Sequence, residues 1–198
     1  MRFATILKTT FLCISFLGAS PFLFAQLTNL QFKHLTPNEG LTQGVIDYIF
    51  TDSRGFVWMT GLDGINRFDG SKCLANHQIA PGIGAISRTH GILEDNNGDI
   101  WFGYTEGLIK YSYRLNFFEI IPFKKIIPAS LINRGSLYIP LASDSNNAIV
   151  VSINANQVFV YHPVSKKITE LPVVVEKKDR LCGLFLKVKN GGFKNNLY

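Results

Sequence analysis

Charged side chains make up only 17% of this 198-residue chain, and no acidic or basic block dominates it. Formal net charge is +6, too mild and too dispersed for a phosphate-binding stripe. The late basic residues (Lys166, Lys167, Lys177, Lys178, Arg180, Lys187, Lys189, Lys194) alternate with apolar ones, as on a solvated strand face. Cysteine is scarce at three residues, none in a C-x-x-C pair, which excludes a thiolate metal site or a redox motif. Cys73 and Cys182 stand far apart in the chain and read as two unrelated buried thiols rather than one disulfide. No glycine-rich phosphate loop and no G-x-S-x-G nucleophile turn is present. Beyond the first 25 residues no apolar run approaches the length of a membrane span.

That opening stretch reads as an export signal. Arg2 and Lys8 supply the positive start, and Thr9–Phe24 is mostly apolar with no acidic residue. Ala25 before Gln26 is the expected cleavage position, with an uncleaved anchor as the alternative. Removing the segment leaves 18 Lys+Arg against 14 Asp+Glu, or +4.

What the chain does have is a repeat. Asp52-Ser53-Arg54-Gly55-Phe56-Val57-Trp58 returns as Asp95-Asn96-Asn97-Gly98-Asp99-Ile100-Trp101, an offset of 43 residues that Gly64/Gly107 and Phe68/Tyr111 share. Val45–Thr51 reads as a strand, Asp52–Gly55 as a turn closed by the Asp carboxylate, and Phe56–Thr60 as the returning strand. On that strand Phe56 and Trp58 face one side, Val57 and Met59 the other. Asp63-Gly64 is a hairpin signal before Ile65–Phe68. The second copy runs through Ser87–Glu94, Asp99–Gly103 and Leu108–Tyr111. A third begins at Asp144, 49 residues after Asp95, with Ala148–Ile153 and Val158–Tyr161 as strands, Asn154–Asn156 as turn, and Val150 in the place of Trp. A fourth starts near Leu181, with Asn190-Gly191-Gly192-Phe193 as its turn, and Tyr198 falls before its strand is complete.

A period of about 40–45 residues with several strands per copy marks propeller blades. The expected fold is all-β, a partial β-propeller of about three to four blades, each a four-stranded antiparallel sheet. The fourth strand of each comes from the poorly matched connecting stretch. Boundaries follow as 1–25 for the signal, 26–198 for the partial propeller, and approximately 41–83, 84–130, 131–175 and an incomplete 176–198 for the blades. The interrupted last repeat points to a truncated portion of a longer protein.

Candidate chemistry is thin, and no catalytic, ligand-binding or metal residue is assigned. Asp95 to Glu106 has the length of a calcium loop, but Ile100 sits where that loop needs glycine, so a plain turn is expected. His34, His77, His90 and His162 show no paired metal spacing and read as surface or strand residues. Trp58 and Trp101 invite a sugar-stacking reading. Their recurrence at one blade position makes them wedges between blades instead.

Phe32-Lys33-His34-Leu35-Thr36, Gly40-Leu41-Thr42-Gln43-Gly44-Val45, the Asp52–Trp58 run and Asp63-Gly64-Ile65-Asn66-Arg67-Phe68-Asp69-Gly70 together resemble the two-component regulator propeller. This is the repeat of the periplasmic sensor region in hybrid two-component sensor histidine kinases of Bacteroidetes. The resemblance is specific over Leu30–Gly70, good over Ile86–Tyr111 and weak beyond Asp144. It implies a periplasmic module that senses a small molecule or an oligosaccharide, anchored at the inner membrane through its parent protein. No kinase or regulator motif lies in this chain, so no enzymatic activity, cofactor or nucleic-acid partner is expected of it. A homodimer stays open, as do two alternatives: a small exported propeller lyase and a nonfunctional fragment of an interrupted sensor gene. A lyase requires acid–base groups converging at the ring centre, and no His/Glu cluster recurs on the inner strands.

Overall fold

The computed structural model describes residues 34–80, 83–84, 86, 88–127, 136, 138–153 and 157–171. The export segment, the Asn154–Asn156 turn, Cys182 and the fourth repeat lie outside these residues.

Turn residues and alternating apolar residues partition the described chain into three antiparallel meanders of four strands each. The first sheet holds β1 (Ile46–Thr51), β2 (Val57–Gly61), β3 (Gly64–Phe68) and β4 (Cys73–Ala75). The second holds β5 (Thr89–Glu94), β6 (Ile100–Tyr104), β7 (Gly107–Ser112) and β8 (Phe117–Pro122). The third holds β9 (Tyr138–Ser143), β10 (Ile149–Ile153), β11 (Gln157–His162) and β12 (Lys167–Leu171). Each connecting stretch thus supplies the fourth strand. The first of them also forms a short helical turn, Asn76–Ile79, that strand patterning does not foresee.

The sheets stack as blades of a partial propeller. First strands β1, β5 and β9 pack side by side, and fourth strands lie at the outer edges. Each blade therefore has two ends. The first–second and third–fourth strand turns share one, here the turn end; the second–third hairpins and the blade-to-blade connections share the other, the connector end.

Seams between blades are filled by the tryptophans. Trp58, fully buried, packs with Ile100, Phe102, Ile109, Tyr111 and Phe118 of the second blade. Trp101, equally buried, packs with Ile149, Val151, Ile153, Phe159 and Tyr161 of the third. Val57 and Met59 point to the opposite face of the first blade, against Leu41 and Cys73. Cys73 is a buried free thiol whose pKa is raised by burial.

One side chain per blade ties turn to wedge. Asp52 Oδ1 accepts the backbone N–H groups of Arg54 (3.0 Å) and Phe56 (2.9 Å), while Oδ2 accepts the indole N–H of Trp58 at 2.8 Å. Asp95 repeats this with Asn97 (2.9 Å), Asp99 (3.0 Å) and Trp101 (2.8 Å). Asp144 makes the same turn with Asn146 (2.9 Å) and Ala148 (2.8 Å), and Val150 leaves it no indole to hold.

Close approach between inner strands is made possible by glycine. A Cβ on Gly103 would run into the Tyr138 carbonyl of the next blade. Gly91, at φ +63°, occupies a β-bulge and abuts Ile139 and Pro140 across the same seam. Equivalent bulges occur at Asp47 in β1 and Leu141 in β9.

Asp95→Asn has to aim its NH₂ at either the turn amides or the indole, both of them donors. Leaving one buried donor unsatisfied is expected to cost about 2–3 kcal/mol in urea unfolding. Asp144→Asn, whose oxygen accepts both turn amides with no indole to serve, is expected to cost under about 1 kcal/mol.

Candidate functional site

Polar and aromatic groups outside the core gather at the seam between the first two blades, at both ends. At the turn end the residue after each Asp reaches into the next blade. Ser53 donates through its backbone N–H (2.8 Å) and hydroxyl (2.5 Å) to the Glu94 carboxylate. Its repeat partner Asn96 donates its side-chain NH₂ to the Asp144 carbonyl (2.6 Å) and its backbone N–H to Asn147 Oδ1 (3.1 Å). Arg54 pairs with Glu94 at 3.6 Å and donates to the Gly98 carbonyl at 3.0 Å.

Above these contacts lies a half-buried aromatic group. Tyr113, from the β7–β8 turn, donates its hydroxyl to Asp52 Oδ2 and stacks on Phe56, ring centroids 6.1 Å apart. The Arg54 guanidinium lies 4.0 Å over the Tyr113 ring, and that of Arg67 lies 4.7 Å over Phe56. Burial and the neighbouring Asp52 carboxylate push the Tyr113 pKa well above the ordinary 10. Tyr113 therefore acts as a hydrogen-bond donor and not as an acid.

The connector end carries a second group. Ile83, Gly84 and Ile86 line a cavity of about 200 Å³ together with Tyr104, Thr105, Glu106, Ile109 and Ile120. Tyr104 is only 8% exposed, and its hydroxyl has no hydrogen-bond partner among the described residues. Desolvation, reinforced by Glu106 and Tyr138, pushes its pKa up to about 12. Nearby on β5, His90 sits between Arg88 (φ +50°) and the Gly91 bulge, with its Nε2 buried and without a partner among the described residues. Burial and then Arg88 lower its pKa below 6.5, against an opposing pull from Asp47.

The motif reading missed Asp47, Arg88 and His90 as neighbours, since they belong to two blades and to no repeated pattern. Among the described residues no cluster of three or more His, Cys, Asp or Glu side chains has metal-holding geometry. Asp95 spends its carboxylate on its own turn and on Trp101, while Glu106 lies at the connector end, so the calcium-loop spacing joins opposite ends of one blade. His34 precedes the first blade, His77 sits in the helical turn, and His90 and His162 lie on β5 and β11. Among the described residues no helix is long and apolar enough to cross a membrane.

No family model matches the chain. Histidine kinase P4 of Formosa agariphila is 45% identical over 56 residues, covering 28% of this chain and 4% of that protein. The fold is similar to that of two crystal structures from B. thetaiotaomicron, the extracellular domains of the putative hybrid two component systems BT3049 and BT4673. The first has a TM-score of 0.53 at 18% identity, covering 69% of this chain and 19% of that one. The second has a TM-score of 0.53 at 16% identity, covering 73% and 18%. The chain thus spans about a fifth of those domains. Its three four-stranded sheets share the fold of those two domains, and they form the partial propeller that the Asp…Trp repeat led us to expect.

Two outcomes follow at the connector end. Tyr104→Phe removes an orphaned hydroxyl and is expected to leave stability unchanged or raise it by up to about 1 kcal/mol in thermal or urea unfolding. The lowered His90 pKa means the folded chain binds fewer protons than the unfolded one. Stability should therefore fall as pH drops from 6.5 through the folded-state value. Urea midpoints measured between pH 7.5 and 5 should decline less in His90→Gln than in the unsubstituted chain.

Proposed function

We propose that this chain is an extracytoplasmic sensing segment of a hybrid two-component signalling protein and that its ligand is an oligosaccharide or a similar small molecule. The observation that carries this reading is the tandem wedge-and-latch blade, found here in an architecture common to such extracellular domains. Blades built this way keep a constant skeleton, and the loops at either end vary freely to make a binding surface. The half-exposed aromatic and cationic groups of the first seam, together with the cavity at its connector end, belong to that variable layer. Signalling output requires kinase and regulator parts, for which this chain carries no motif. Its own role is recognition, not catalysis, and it works in the periplasm after export through residues 1–25.

The reading is tested in two steps. An alkaline phosphatase fusion to the C-terminus is expected to be active, because the enzyme needs an oxidising compartment. A panel of neutral and acidic oligosaccharides is then added in thermal unfolding. A ligand at 100 times its Kd stabilises by about 2.7 kcal/mol, a rise of several degrees in midpoint. An inactive fusion, or a panel in which no saccharide moves the midpoint, overturns the proposal.

A further inference from the structure

The first two blades place a cation directly across the sheet from each tryptophan. Arg67 pairs with Trp58 in the β2–β3 register, and Lys110 pairs with Trp101 in the β6–β7 register. In the second blade that cation has its anion. Lys110 Nζ meets Asp99 Oδ2 at 2.6 Å, with the ammonium 5.4 Å from the Trp101 ring centre. Both side chains are mostly shielded, at 21% and 12% exposure.

The first blade keeps the cation and drops the anion, because the position of Asp99 is held by Phe56. The Arg67 guanidinium rests on Phe56 at 4.7 Å and on Trp58 at 5.6 Å. Its Nη1 donates to the Tyr111 hydroxyl at 3.4 Å, and its Nε is buried with no acceptor among the described residues. No carboxylate among the described residues forms an ion pair with it. Asp52 is the acid of this seam, and it already accepts from the amides of Arg54 and Phe56, the Trp58 indole and the Tyr113 hydroxyl. A partly buried guanidinium without a counter-charge is costly to maintain. An anion arriving beside it gains a charge-assisted hydrogen bond in a low-dielectric setting. The third blade has Val160 opposite Val150, so cation and tryptophan are absent there together.

We propose that Arg67 is the anion-recognising residue of a saccharide subsite at the turn end of the first seam. The carboxylate or sulfate of an acidic sugar supplies to Arg67 the counter-charge that Asp99 supplies to Lys110, and the apolar part of the sugar packs against the edge of the Phe56–Tyr113 pair, whose ring faces carry Arg67 and Arg54. Arg54, 39% exposed and engaged with Glu94, forms the rim. The proposal rests on the saccharide-sensing reading given above and narrows it to acidic sugars.

Isothermal titration of the full chain with glucuronate, glucose 6-sulfate, glucose and inorganic sulfate tests it, with the Arg67 Nε–H resonance followed by ¹H–¹⁵N NMR. Glucuronate, glucose 6-sulfate or both are expected to bind and move that resonance, with glucose at least tenfold weaker. Which of the two binds separates carboxylate from sulfate recognition. Arg67→Met should weaken binding at least tenfold, and Arg67→Lys should restore part of it. Phe56→Asp, which recreates the second-blade pair within the first, should abolish it. Lys110→Met, in the other seam, should leave it unchanged. Equal binding of glucose, undiminished binding by Arg67→Met, or inorganic sulfate binding as well as glucose 6-sulfate (an adventitious ion only) overturns the subsite. Neutral oligosaccharides that bind while both acidic sugars fail also overturn it, and leave the sensing reading intact. Failure of every saccharide removes both.

Discussion

A buried carboxylate bonded on both sides holds this fold together. In each of the first two blades the Asp that opens the strand turn closes it with one oxygen and grips the indole of the following strand with the other. The turn cannot relax without releasing the wedge, and the wedge cannot rotate without opening the turn. This coupling converts a local motif of seven residues into a contact between sheets. A carboxylate accepting several N–H bonds meets its desolvation cost locally, so it can stay in the seam as part of the core.

The seams show how much substitution such a scheme tolerates. Where Asp144 has no indole to bind, it still makes its turn, and the wedge position is filled by Val150 within an aliphatic cluster of Ala142, Ala148, Val158 and Val160. The third blade has thus exchanged one large aromatic for several small side chains. Backbone geometry survives the exchange because the turn is satisfied by its own residues. The cross-seam polar contacts adapt in a similar way, with Ser53 reaching Glu94 in one seam and Asn96 reaching Asp144 and Asn147 in the next.

The architecture was legible in the sequence wherever a single residue fixed both a turn and a wedge. Asp52, Trp58, Asp95 and Trp101 announced strand positions, the face each strand would bury, and the number of strands that followed. The fourth strands were harder to place, since Cys73–Ala75 and Phe117–Pro122 carry no repeated residue and are set by pairing with β3 and β7. The helical turn at Asn76–Ile79 was invisible for a related reason. It is stabilised by contacts such as the Asn76 side chain on the Gly84 carbonyl, which no periodicity encodes. The candidate site was the least legible part. Tyr113 and Arg67 belong to different blades, and nothing in their spacing says that Phe56 lies beneath one and beside the other. The signal that could have found them is a break in the repeat, with Phe56 standing where the second copy has Asp99.

Because the chain contains two indoles, and each is locked into a different seam beside its own carboxylate, its ultraviolet emission divides by location. Trp58 senses the joint between the first pair of sheets and Trp101 the joint between the second. Opening either joint would expose one fluorophore to water while its twin stayed dark to the event. The molecule thereby carries an intrinsic optical gauge of which joint yields first under denaturant or force.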